Sequence, residues 1–195
     1  MNIVLSYLPL TAAVALGIFI LKEIIEAYRR IRADKRKISG YKLILARECE
    51  RNNAALKGIR QAVSRIKEKE KFPNYNMYLD TTPAGHLRFH ASHSESGSFS
   101  IIVRPPQLET MGRIMIEMAT IDRRLFSSIE SAYDAVSELK HLRDSLIDIL
   151  SDDVDEAIVL GFPQYAEKEM EDIFDRLEGL YKVCTGSPLE KLRLR

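Results

Sequence analysis

Three of the four histidines, His86, His90 and His93, fall in one short stretch, and clustered histidines invite a metal reading. On an extended segment, however, His86 and His90 stand about 13 Å apart at 3.3 Å per residue. Such a pair cannot clasp one ion. His90 and His93 form the closer pair, and no carboxylate or cysteine nearby completes a ligand set. Neither a metal nor any other cofactor is expected, and the histidines read as the polar face of a strand. His141, in "ELKHLRD", reads as a solvated helix residue.

The acidic run Asp152, Asp153, Asp155 and Glu156 lacks the glycine-turned loop of a calcium site. Asp153 with Glu156 three positions later instead fits a capping box at a helix start. Cys49 and Cys184 are the only cysteines, far apart and without a CxxC. They read as reduced thiols, Cys49 on a core face. No phosphate-binding loop, dinucleotide fingerprint, nucleophile elbow or HExxH occurs. No enzymatic activity is expected, since no catalytic motif is found.

The elements that carry these residues follow from periodicity. Residues 3–21 carry no charge, whereas Lys22, Arg29, Arg30, Arg32, Lys35, Arg36 and Lys37 crowd the next sixteen positions. A membrane-spanning helix needs about 20 apolar residues. No basic segment precedes the run and no cleavage site follows it, which argues against an export signal. The expectation is a single-pass transmembrane anchor over 1–22, followed by a basic juxtamembrane helix over 23–38. By the charge rule the N-terminus lies outside and the remainder is cytosolic. Arg29, Arg30, Arg32, Lys35, Arg36 and Lys37 are expected to contact anionic lipid.

Beyond that, residues 39–184 read as an antiparallel helical bundle. Leu45, Cys49, Asn52, Leu56, Ile59, Val63 and Ile66 alternate at spacings of four and three, the seam of a coiled coil. Asn52 on that seam would set oligomer register, or else bond a neighbouring backbone group. Ser39-Gly40 marks a helix break or a cap. A β-hairpin is expected at about 86–104, where Leu87, Phe89 and Ala91 alternate with polar residues, as does Phe99 with Ser100. A short extended piece precedes it around Met77–Leu79.

A long helix should cover 108–150, with Met111, Ile114, Met118, Ile121, Leu125, Ile129, Ala132, Val136, Leu139, Leu142, Leu146 and Ile149 on one stripe. Gly161–Pro163 should break the chain before a last helix over 164–184, and 185–195 reads as a basic tail.

The fold class expected is therefore mainly α. A single N-terminal transmembrane helix precedes a cytosolic antiparallel bundle of long amphipathic helices with an inserted β-hairpin. The function expected is a membrane-anchored, non-enzymatic interaction or assembly module at the inner face of a membrane. Alternatives are a membrane effector whose clustered spans perturb the bilayer, and a membrane-proximal enzyme with a dispersed site. Membrane lipids, a protein partner and a second copy of the chain are the partners implied. A net charge of +1 argues against nucleic acid.

Overall fold

The computed structural model describes residues 10–69, 71, 76–93, 97–151 and 156–189. Among them the chain is mainly helical, with a small antiparallel sheet. In chain order come α1 (Leu10–Glu68), β1 (Asn76–Thr81), β2 (Leu87–His93), β3 (Gly97–Ile102), α2 (Glu109–Met118), α3 (Arg123–Ser151) and α4 (Glu156–Thr185). The chain divides after Tyr41 into two units.

The unit before Lys42 holds the first part of α1. Among the described residues no helix is long and apolar enough to cross a membrane. The uncharged run in that part of α1 is Leu10–Leu21, about 18 Å of helix against roughly 30 Å of hydrocarbon. Lys22, Glu23 and Glu26 follow at once. The expected single-pass transmembrane helix is thereby overturned, and with it the membrane localisation and the outside N-terminus. Residues 3–9 of the expected span lie outside the described residues. No break occurs at Ser39-Gly40 either, because the Ser39 hydroxyl donates back to the Lys35 carbonyl at 3.0 Å while the helix continues.

The unit from Lys42 onward has one hydrophobic core. Leu45, Cys49, Leu56, Ile59, Val63 and Ile66 are all buried, so the seam read from the sequence is covered within this one chain. Part of the cover is α4, which runs antiparallel to α1. Lys67 Nζ meets Glu167 at 2.9 Å, Arg60 Nη2 reaches the Met170 carbonyl at 3.4 Å, and the Tyr181 hydroxyl donates to Glu50 at 3.1 Å. The sheet covers another part. Gly58 sits where an added Cβ would lie 3.2 Å from the Ile102 carbonyl oxygen, so a larger residue would push helix and strand a few tenths of an ångström apart. Two α1 turns further on, the Arg65 guanidinium stacks 4.7 Å over the Phe99 ring.

The sheet has the order β1-β2-β3, both pairs antiparallel. The hairpin of the sequence reading is real, and the extended piece at Met77–Leu79 is a full third strand. Asn76 pairs with Ser92 and Thr81 with Leu87, while Ala91 pairs with Phe99 and Arg88 with Ile102. The turn from β1 to β2 closes with Gly85 N–H donating to the Thr82 carbonyl at 2.8 Å. Gly85 has φ 78°, a conformation glycine adopts without steric cost. Phe89 and Ala91 are fully buried on the core face, with Leu79, Phe99 and Ile101 half-buried around them.

Two helix boundaries differ from expectation. The helix expected over 108–150 is two helices, α2 and α3, separated by Ala119–Asp122. Asp122 makes the separation, since its Oδ1 accepts from the Leu125 N–H at 3.0 Å and caps α3. The apolar stripe passes through this break without a change of spacing, and Met118 and Leu125 are both buried. Conversely, α4 continues through Gly161–Pro163. A proline inside a helix costs about 3 kcal/mol. Val159, Phe162, Pro163 and Ala166 are buried around it, and that burial offsets the lost backbone bond. The expected capping box at Asp153 lies outside the described residues.

Candidate functional site

Four surfaces carry chemistry worth weighing. The outer face of the sheet presents Tyr78, Asp80, Arg88, His90 and Ser100, because strand alternation puts them opposite buried Phe89 and Ala91. Asp80, His90 and Ser100 on successive strands have the residue types of a nucleophile relay. Their geometry is that of a cross-strand staple. Arg88 donates from Nε and Nη2 to the two Asp80 oxygens at 2.9 and 2.7 Å. That bidentate pair holds the Asp80 carboxyl below its ordinary range. His90 Nε2 lies 3.1 Å from Asp80 Oδ2 but out of line for a hydrogen bond. The His90 ring instead stacks on Tyr78 at 4.8 Å. Ser100 makes no hydrogen bond to His90 among the described residues.

The other histidines stand apart. His86 precedes β2, and His93, an odd number of residues from His90, points to the opposite sheet face. Among the described residues no three His, Cys, Asp or Glu side chains converge as a metal site would require.

A second surface lies where α1, the start of β2 and the segment after β3 meet. Arg51, His86, Ile102, Arg104, Pro105 and Gln107 line an open groove of about 480 Å³. Asn52 holds one of these residues, Gln107, in place. Fully buried, it donates from Nδ2 to the Gln107 carbonyl at 3.0 Å and accepts the Gln107 N–H on Oδ1 at 2.7 Å. The two bonds bind an otherwise irregular segment to the helix as a neighbouring strand would. They also account for a buried amide on the seam within a single chain. Nothing local announces this pairing, since Gln107 lies 55 positions away.

A third surface is a groove of about 700 Å³ between α1 and α4, with Asn53, Lys57, Arg60, Glu167, Glu171 and Asp175 among its walls. Its charges are mixed. Burial, with Arg60 adding repulsion, pulls the Lys57 ammonium below its ordinary pKa.

The fourth is the part of α1 before Tyr41. Val14, Leu16, Ile18, Phe19, Ile20, Leu21, Ile24, Ile25, Tyr28 and Ile31 are all exposed there. Arg29, Arg30, Arg32, Lys35, Arg36 and Lys37 are exposed along the same helix. Part of their charge is answered locally. Lys22 and Arg30 flank Glu26 at 3.9 and 3.7 Å, and Lys37 lies 5.6 Å from the Tyr41 ring centroid.

Both cysteines are free, Cys49 buried and Cys184 half-buried. Burial pushes the Cys184 thiol up to about 11. Cys49 is raised further, by burial and then by Cys184, Glu48 and Glu50. A thiol with a pKa near 11 is only about one-thousandth thiolate at pH 8. With an aromatic disulfide reagent at pH 8, Cys184 should therefore react slowly and Cys49 only after unfolding in guanidinium. Rapid labelling of Cys49 in the folded protein would contradict its burial.

Compared with protein-family models, curated proteins and solved structures, the chain matches none.

Proposed function

We propose that this protein is a non-enzymatic assembly module whose copies join through the exposed apolar length of α1. The observation that carries this reading is the run of ten large apolar side chains exposed between Val14 and Ile31. A helix this apolar in water needs a cover.

The spacing favours a second copy of the chain as that cover. Val14, Gly17, Leu21, Ile24, Tyr28 and Ile31 recur at alternating intervals of three and four, the period of a coiled-coil seam. Lys22, Glu26 and Arg30 pair on the opposite side and stay wet.

The number of copies follows from how far the apolar surface extends. From Ala12 to Leu21 the helix is apolar on every side. A two-stranded coil would leave Leu16 and Phe19 in water, so neighbours are required on more than one face. Leu21 with Ile24 and Ile31 in alternating seam positions also favours more than two strands. Three or more copies satisfy both requirements.

Light scattering on the full-length chain, coupled to size exclusion and followed by crosslinking, reads this directly. Wild type should run as a trimer or larger. Ile24→Asp should lower the copy number while circular dichroism and thermal melting of the remainder stay unchanged, because Ile24 is 59% exposed. A monomeric wild type, or an Ile24→Asp protein of unchanged size, would overturn the proposal. So would a wild type recovered as a monomer that associates only with lipid vesicles.

A further inference from the structure

We infer that the groove lined by Arg51, His86, Ile102, Arg104, Pro105 and Gln107 is a binding site for a nucleotide, its phosphates held by Arg51 and Arg104. The lining holds two guanidiniums, an imidazole and a carboxamide, and no carboxylate. Arg104 is exposed and forms no ion pair among the described residues. Arg51 gives one nitrogen, Nη1, to Glu48 at 2.9 Å, and a guanidinium has five N–H donors in all. Planar guanidiniums suit phosphate oxygens better than any other side chain does.

Shape restricts the ligand further. A volume of about 480 Å³ suits a small molecule. Ile102 and Pro105 give the groove an apolar wall beside its charges, and a nucleobase is a flat, weakly polar group of suitable size. A bare inorganic anion would leave that wall wet.

The backbone under each contact is fixed in place, as a binding site requires. Thr82 and His86 exchange two hydrogen bonds, of 2.9 Å from the Thr82 N–H to the His86 carbonyl and 3.0 Å from the His86 N–H to the Thr82 hydroxyl. The Val103 N–H donates to the Leu87 carbonyl at 2.9 Å, just ahead of Arg104. Asn52 clamps the Gln107 backbone through two hydrogen bonds. Arg51 stands on α1 next to that clamp. Three segments distant in sequence are thus locked around one opening.

Fluorescence anisotropy of the full-length chain with a methylanthraniloyl-labelled ATP tests the site, with ATP, tripolyphosphate and adenosine as unlabelled competitors. ATP should displace the probe at the lowest concentration, tripolyphosphate should need at least fivefold more, and adenosine should be weakest. Arg104→Glu should weaken probe binding at least tenfold and Arg104→Lys by less. Arg124→Glu, an equal charge change at an exposed α3 position, should stay within twofold of wild type. Circular dichroism confirms that each variant is folded. Absence of saturable binding at millimolar protein overturns the site. Equal weakening by Arg124→Glu and Arg104→Glu does so too, as it shows only general charge attraction. Displacement by tripolyphosphate as effective as by ATP removes the nucleobase from the proposal and refutes the nucleotide assignment.

Discussion

Leu125→Asp should abolish cooperative unfolding of the Lys42–Arg195 unit, whereas Arg123→Asp, two residues earlier, should leave the melting curve where it was. Leu125 is 1% exposed and opens the buried stripe of α3. Replacing it removes apolar burial and leaves a cavity, at about 2–5 kcal/mol. The carboxylate must then be desolvated or protonated, for a few kcal/mol more. A domain of this size has about 5–15 kcal/mol of stability in total, so the fold is lost. Arg123 is exposed in the first turn of α3, where a carboxylate meets the positive end of the helix and is tolerated or slightly favourable. Thermal melts followed by circular dichroism separate the two outcomes. Equal tolerance of both substitutions would mean that the buried face of α3 is misassigned.

Asn52→Leu should destabilise the protein by about 2–6 kcal/mol, since it orphans both the N–H and the carbonyl of Gln107 at about 1–3 kcal/mol each. The expected fall in melting temperature is about 5–15 °C for a chain of this length. The sign is informative. An asparagine whose main task was to set register in a coiled coil would behave oppositely, with leucine raising stability and broadening the range of oligomers. Asn52→Asp keeps the acceptor for the Gln107 N–H but sets a buried carboxylate against the Gln107 carbonyl, so at neutral pH it should destabilise at least as much as Asn52→Leu. A higher melting temperature for Asn52→Leu, with mixed oligomers, would assign the residue to an interface between copies.

These two residues also mark what a single sequence discloses. Leu125 was legible because burial on a helix repeats every three or four positions, and the stripe from Met111 to Leu146 keeps that period. The same regularity concealed the boundary at Ala119–Asp122. Met118, Ile121 and Leu125 keep step across it, and only the capping chemistry of Asp122 betrays it. At Gly161–Pro163 local propensity pointed to a stop, and core packing of Phe162 and Pro163 prevailed. The alternation of β2 and β3 was plain, whereas β1 is short and lacked a strong alternating pattern. Counting uncharged residues from Ile3 to Leu21 suggested a membrane span, and the described part of that run falls well short of one. The lining of the Arg51–Arg104 groove was not legible at all. It joins residues 51, 86 and 102–107, which only the folded chain brings together.

The antiparallel seat of α1 on α4 bears on how the chain comes to be folded as it is synthesised. Its contacts join residues 100, 110 and 131 positions apart, so the face from Leu45 to Ile66 lacks its final cover until α4 leaves the ribosome. At about 5–20 residues per second that wait is roughly 5–25 s, far longer than a helix needs to form. Closing so long a loop also slows the last step. The nascent chain therefore carries a formed but uncovered apolar helix for seconds, and a chaperone that recognises such helices has its window there.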